Sequence, residues 1–383
     1  MATGFPTKAN WAAGDVLTAA QMDDLAGTVN LFSNASATSG SQLVSNAAGT
    51  SFAYQPTPSA SNPVLNSAFQ VAQRGTSIAL AASTAYTSGY TLDRWQTATG
   101  ANQATTISRQ ATADTTNLSN IQYCLRFQRN SGQTGTSAYS LTQSFESLNA
   151  IPFAGKTITM SFYARAGANY SATSSILQAL LYTGTGTDQN IFAGYTGSTA
   201  AINSPATLTT TWQRFSFSAT LAATVTELAP LFLYTPVGTA GTNDYYEVTG
   251  VQIDVGSVAL PFRTTGTSYQ QELAACQRYY YRAGGNASYE VLGLSWNGSA
   301  TDCYPVVALP VPMRVIPTSL EYSTLAHQNT GGIFAITNLV FSSSSKQQIG
   351  IWATTTGGSL VNGVSRLLTN NSTSGYLAFS AEL

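Results

Sequence analysis

The hydrophobic rhythm of the chain changes several times between its ends. Near the start, Met22, Leu25, Val29 and Phe32 recur at spacings of three, four and three, the one-face stripe of a short helix. Thr18 with Gln21 three residues on reads as a capping box, in which side chains satisfy the first free backbone N–H groups. A helix of about three turns is marginal alone in water, so the stripe predicts a cover, either its own domain or a small bundle of copies. From Ser33 to residue 61 the periodicity vanishes. Runs such as Ser33–Ser41 and Pro56–Ser59 cannot bury enough apolar surface to offset ordering entropy, and they read as linker.

From residue 62 the period becomes two. In Thr157–Arg165, Ile158, Met160, Phe162 and Ala164 share one face, while Thr157, Thr159, Ser161, Tyr163 and Arg165 share the other. Phe215, Phe217, Ala219 and Leu221 alternate with Ser216, Ser218 and Thr220, and Val251, Ile253 and Val255 with Gln252 and Asp254. Strands with one dry and one wet face, broken by turns such as Gly184-Thr185-Gly186, predict a two-sheet antiparallel sandwich of jelly-roll size. A second capping box, Ser268 with Gln271, opens a helix over 269–277, and Leu273, Cys276 and Tyr280 continue its stripe. Tyr279–Arg282 then reads as strand, ended by Gly284-Gly285. Short strands follow, at Ile333–Phe341, Gln348–Ala353 and Gly375–Leu383. No repeat of fixed period is visible, which argues against a parallel β-helix.

The predicted architecture is therefore all-β: a short N-terminal helix (1–32), a Ser/Thr/Gly-rich linker (33–61), an antiparallel jelly-roll β-sandwich (62–263), a connector (264–282) and a smaller distal β-sandwich (283–383).

Composition narrows the chemistry. Of 383 residues only 8% are charged, and 15 Lys+Arg against 16 Asp+Glu leave a net charge of −1. The three lysines, Lys8, Lys156 and Lys346, are far apart, so there is no basic footprint for nucleic acid or for an anionic membrane surface. One histidine and three scattered cysteines cannot supply a closed tetrahedral metal site, and no cofactor motif is present. Cys124, Cys276 and Cys303 read as small buried hydrophobes. The N-terminal residues lack the apolar run of a signal peptide, and no stretch approaches the ~18 apolar residues of a membrane span. Acid–base catalysis would have to draw on sixteen carboxylates and His327, which favours a non-enzymatic reading. His327 itself reads as a structural residue on a loop between strands. In Asp244-Tyr245-Tyr246-Glu247, strand alternation puts the two carboxylates on opposite faces, a poor catalytic pair.

Several segments resemble a known family. Gly4-Phe5-Pro6, Trp11 and Gly14–Ala20 resemble the N-terminal attachment segment of phage tail fibre proteins. Asn62–Phe69 with Gln73-Arg74-Gly75, Asp93-Arg94-Trp95, Gln143–Glu146, Gly155–Phe162, Thr211–Phe215 and Val251–Gly256 resemble the carbohydrate-binding-module type of jelly roll found in phage virion proteins. Glu272–Tyr280 resembles the joint to the distal domain of such fibres; Asp254 stands where many relatives carry Glu. The resemblance implies a homotrimeric, non-enzymatic adhesin of the virion. It would attach to a tail or baseplate protein through Trp11 and Leu17, with Met22, Leu25, Val29 and Phe32 in the trimer contact, and bind host cell-surface polysaccharide through its β-domains. The rival implications are a tailspike-like depolymerase and a purely structural fibre.

Sugar contacts are expected from aromatic rings, because the C–H face of a pyranose packs on a ring while its hydroxyls seek polar groups. Trp95 and Trp212 lie in strand motifs and read as framework. Trp352, between Ile351 and Ala353, alternates outward, and Trp296 precedes the turn Asn297-Gly298; these two are the candidate platform. Tyr182 and Tyr195, flanking the loop Thr183–Gly194, are candidates to rim a cleft.

Overall fold

A computed structural model describes residues 41–45, 52–56, 62–101, 103–329, 331–357 and 360–383. The helix expected over residues 18–32, with Trp11, Leu17, Met22, Leu25, Val29 and Phe32, lies outside the described residues. Within the stretch read as linker, β1 (Ser41–Ser45) pairs antiparallel with β2 (Phe52–Pro56). Their Leu, Val, Phe and Tyr content carries the β-propensity that the surrounding Ser/Thr text lacks.

The period-two text from residue 62 forms two facing six-stranded antiparallel sheets. One runs β11 (Thr199–Thr207), β10 (Ile176–Gly184), β13 (Glu227–Tyr234), β8 (Tyr139–Thr142), β5 (Gln96–Thr99), β4 (Thr87–Tyr90). The other runs β12 (Gln213–Thr220), β9 (Thr157–Ala166), β14 (Tyr245–Val255), β7 (Tyr123–Arg129), β6 (Thr105–Ala111), β3 (Ser77–Leu80). Ile158, Met160, Phe162 and Ala164 are all buried between the sheets, as their alternation predicts. Phe162 meets Phe232 of the opposite sheet edge-on at 4.8 Å and stacks on Phe215 at 5.5 Å. Each such fully buried side chain stabilises the fold by about 1.5–3 kcal/mol. In β14 the register shifts between Thr249 and Gln252, and Gly250 sits there at φ +59°; an added Cβ would press on Ile121 and Tyr163.

Asp244 and Glu247 do face opposite ways. Asp244 is buried inside, where its carboxylate takes Arg129 at 3.2 Å and the Ser171 N–H at 3.0 Å. Arg129, equally buried, donates onward to the carbonyls of Gln133, Gly135 and Gly238 at 2.7–2.8 Å. The oxygen cluster around Asp244 thus surrounds a guanidinium supplied by the chain itself. Trp95 and Trp212 are buried framework, their indole N–H groups bonded to the carbonyls of Asn66 and Thr112.

α1 (Ser147–Ala150) lies between β8 and β9 of the sandwich, and α2 (Tyr269–Gln277) links the sandwich to the distal strands. Ser268 caps α2 by accepting from the Gln271 N–H at 3.4 Å, but Gln271 Oε1 reaches back to the Thr267 N–H, one residue beyond the partner a capping box requires.

The remaining strands build a second core. A three-stranded sheet, β15 (Tyr280–Gly284), β24 (Tyr376–Ser380), β19 (Ser319–Ser323), packs beside a seven-stranded one. The latter runs β17 (Asp302–Cys303), β22 (Gln348–Thr355), β18 (Val306–Ala308), β16 (Val291–Trp296), β23 (Ser365–Asn370), β20 (Leu325–Asn329), β21 (Gly332–Phe341). Because β21 also pairs with β22, this sheet closes on itself like a small barrel. Ile349, Ile351, Leu368, Leu377 and Phe379 fill the core it encloses.

The two bodies meet across an ionic seam. Arg94 pairs with Glu382, donates to the Ser144 carbonyl at 2.8 Å and lies 3.6 Å from the Tyr279 ring centre. Arg74 covers Tyr280 at 3.5 Å and reaches Glu382 at 3.4 Å and Glu321 at 3.6 Å. Arg278 holds Glu146 through two bonds of 3.0 and 2.8 Å. Arg314 of the distal body, anchored on the carbonyls of Ala381 and Glu382, reaches Asp188 of the sandwich at 3.8 Å.

Candidate functional site

Strand alternation on the distal barrel sends one aromatic row outward. The Tyr304 N–H donates to the Trp296 carbonyl at 2.9 Å, and the Ile351 N–H to the Pro305 carbonyl at 2.9 Å, which brings position 304 between 296 and 352. Beyond Trp352 the row continues to Val340, and beyond Trp296 to Ser365. Three rings therefore stand side by side across neighbouring strands: Trp296 and Tyr304 at 5.7 Å between centres, Tyr304 and Trp352 at 6.2 Å. Both tryptophans are 47% exposed, although large aromatic side chains ordinarily give up most of their surface to a core. The sequence candidates Trp296 and Trp352 are thus brought together, through a ring that sequence reading did not single out. Position 304 follows a strand of only two residues, which leaves no period to read.

Gly298 makes the middle ring possible. A Cβ there would come within 2.1 Å of Tyr304 Cε2, so only glycine lets that ring lie close to the turn. The row is rimmed on one side by polar groups: Asn338 pairs with Thr354, and Thr354 with Asp302. The Ser299 hydroxyl donates to Asp302 Oδ2 at 2.9 Å, fixing that carboxylate beside the platform. On the other side stand the exposed apolar side chains of Leu294 and Leu367, paired across strands.

Two ionisable inward positions beneath the platform are uncharged. His327 lies on β20 rather than on a loop, fully buried, with Nδ1 3.1 Å from the Ser295 hydroxyl. Burial, and then the Arg366 cation, push its pKa down to about 4, so the ring is uncharged at neutral pH. Burial also raises the Cys303 thiol to about 11. Cys124 and Cys276 are buried and free as well. Among the described residues no group of three or more His, Cys, Asp or Glu side chains is placed to hold a metal ion.

The other candidates fare differently. Tyr195 is buried and its hydroxyl donates to the Leu228 carbonyl at 3.2 Å, so it presents no ring to a ligand; the strand-end turn that follows β10 folds it inward. Tyr182 is half-buried on β10. The segments that carried the family resemblance gather mostly at the seam rather than at an open surface. Asn66 accepts and donates within its own turn, its N–H held by Glu272; Gln73 bonds Asp93 at 2.6 and 2.7 Å; Arg74, Arg94, Glu146, Arg278 and Tyr279 are the seam itself.

No protein-family model matches this chain, and no curated protein does. Among solved structures, it is similar to the enzymatically active domain of bacteriophage CBA120 tailspike protein 4, at 10% identity and TM-score 0.31, over 51% of this chain and 21% of that one. It is also similar to a putative sugar binding protein from Bacteroides thetaiotaomicron, at 12% identity and TM-score 0.31, over 51% of this chain and 100% of that one. A third is a CBM4 structure, at 15% identity and TM-score 0.28, over 50% of this chain and 98% of that one. The chain thus spans about a fifth of the tailspike structure and all or nearly all of the other two.

Proposed function

We propose that this protein is a non-enzymatic glycan-binding component of a phage tail fibre, and that the outward row Trp296–Tyr304–Trp352 is its sugar platform. The observation that carries the reading is the row itself: two nearly half-exposed tryptophans on either side of the half-buried Tyr304 ring, with hydroxyl, amide and carboxylate groups along one side. Rings of this kind take the C–H faces of successive sugar units, and the Asn338–Thr354–Asp302 rim supplies partners for their hydroxyls. Asp302 is the one carboxylate on that rim, whereas glycoside hydrolysis ordinarily takes a pair, which favours binding over cleavage.

Trimeric assembly through the N-terminal segment and attachment to a tail or baseplate protein belong to the same proposal, supported by the sequence resemblance. Weak contacts at each platform would then add by avidity. Two measurements test it. Adsorption of fluorescent protein to host cells, or retention on surface-polysaccharide columns, is expected to fall in Trp296→Ala and Trp352→Ala while the fold persists; unchanged adsorption in both sinks the platform. Light scattering is expected to give a mass near three times 40.1 kDa, and a monomer at all concentrations removes the fibre reading. Reducing ends released from host glycan would replace binding by depolymerase activity.

A further inference from the structure

A second surface, on the sandwich and remote in character from the aromatic row, also has the makings of a ligand site. On the outward face of the sheet containing β14, register places Ser77, Ser108, Arg126, Glu247 and Arg165 in one cross-strand row. At the β3–β6–β7 end of this row lies an open groove of about 390 Å³. Its walls are polar throughout and hold no carboxylate: the hydroxyls of Ser77 and Ser108, the amides of Gln110 and Gln128, and the arginines Arg109 and Arg126.

The charge in this region is unbalanced. Glu247, fully buried, is shared by two cations, taking Arg126 at 2.6 Å and Arg165 at 2.5 Å. One negative charge between two positive ones leaves the trio net positive. Asp114, on a neighbouring loop, offsets Arg165 from outside the groove. Arg109 stacks on Tyr123 at 4.5 Å and donates to the Gln70 carbonyl at 2.7 Å, and among the described residues it has no carboxylate partner. Arg126 spends Nε and Nη2 on Glu247 and rests on the Tyr245 ring at 3.9 Å. Its Nη1 has no partner among the described residues, and its side chain is 27% exposed beside the groove. The guanidinium is thus held rigidly by three contacts while one edge stays available, the arrangement that makes an arginine a selective reader of planar anions.

We infer that this groove binds an anionic sugar unit, a hexuronate, whose carboxylate meets Arg126 while its hydroxyls meet the Ser and Gln groups around it. Apart from Arg109, whose guanidinium is taken up by the Gln70 carbonyl and the Tyr123 ring, the remaining walls are neutral, so the site suits one negative charge per sugar rather than the double charge of a phosphate monoester. In a chain with so few cations, an arginine aligned this way leaves little other source of anion selectivity.

The test is calorimetric titration of the full chain with a glucuronate-containing oligosaccharide, with its neutral carboxyl-reduced counterpart, and with a phosphate-bearing glycan. Binding of the uronate form is expected, at least tenfold tighter than the neutral one. It should weaken as ionic strength rises from about 0.01 to about 0.15 M, because the Debye length falls from about 30 to about 8 Å. Arg126→Gln should reduce affinity tenfold or more. Gln110→Glu, which puts a negative charge in the groove without disturbing the Arg126–Glu247 pair, should do the same and guards against a misfolded Arg126 variant. Leu148→Ser, at an exposed position outside both the groove and the aromatic row, should leave uronate binding unchanged. Equal binding of the neutral sugar, absence of uronate binding, full affinity in Gln110→Glu, or preference for the phosphate form would each overturn the assignment.

Discussion

Arg94 of the sandwich and Glu382 of the distal body form an ion pair with both side chains out of water, 2% and 4% exposed. The same guanidinium is covered by the Tyr279 ring and donates to the Ser144 carbonyl, so the pair closes a seam built from both bodies. Burial opposes the charge on Arg94, yet Glu382 together with Tyr279, Tyr90 and Cys276 outweighs it, and the net effect is a raised pKa.

Breaking one half of this pair strands a buried charge. Glu382→Gln or Arg94→Met is expected to cost about 3–5 kcal/mol in urea-induced unfolding, while Arg94→Met with Glu382→Leu recovers a large part of that loss. A cost for the double variant equal to the sum of the two single costs would mean that the two side chains act independently.

Gly298→Ala tests the geometry of the aromatic row without touching a ring. The added methyl meets Tyr304 at 2.1 Å, so the ring must move, at a cost of about 1–3 kcal/mol from overpacking. Glycan retention should drop together with that of Trp296→Ala. A variant that melts earlier yet binds normally would place the contact elsewhere.

Removal of a single platform ring should weaken glycan binding about threefold to tenfold, from the ~0.5–1.5 kcal/mol that an aromatic contact contributes. Stability should hardly change, because Trp296 and Trp352 are nearly half exposed. Thermal melts beside binding isotherms for both variants check the two halves of this expectation.

His327 sets an acid limit on the distal body. Its folded pKa, about 4, lies below the ordinary 6.5, so the unfolded chain takes up a proton that the folded chain refuses. Stability is unaffected by this group above about pH 7 and declines as pH falls from about 6.5 to about 4, by an amount of the order of 2 kcal/mol. Burial raises Glu227 and Glu272, and that shift contributes in the opposite sense in acid, so wild type is best compared with His327→Gln. The difference between their stability–pH curves should follow the imidazole; parallel curves would show that the ring is reached by water.

The sandwich was legible because its strands have one wet face. The alternation of Ile158, Met160, Phe162 and Ala164 with polar neighbours needs only a period of two, and it specifies both strand and buried side. The outward Trp352 was legible for the same reason, and Trp296 from the turn Asn297-Gly298 that follows it. Tyr304 was not, because the strand it follows is too short to show a period, and the ring comes beside the others only when distant strands pair. Tyr195 misled in the opposite direction: a Gly/Thr-rich loop looks solvent-facing, yet the turn carries the ring inward to a backbone carbonyl. The seam was visible as motifs but not as a seam, since an arginine in sequence does not announce which carboxylate, here 288 residues away, it will meet.

Closure of the distal sheet bears on how such a surface is tolerated at all. An apolar patch beside a free strand edge invites another chain to add on by backbone pairing, the first step toward an insoluble ladder. Where β21 meets β22, those backbone groups are already taken, and the aromatic row sits on a wall rather than on a rim. A neighbouring molecule can touch the rings but finds little there to zip onto. The barrel can therefore leave two tryptophans nearly half exposed at little risk of recruiting copies of itself.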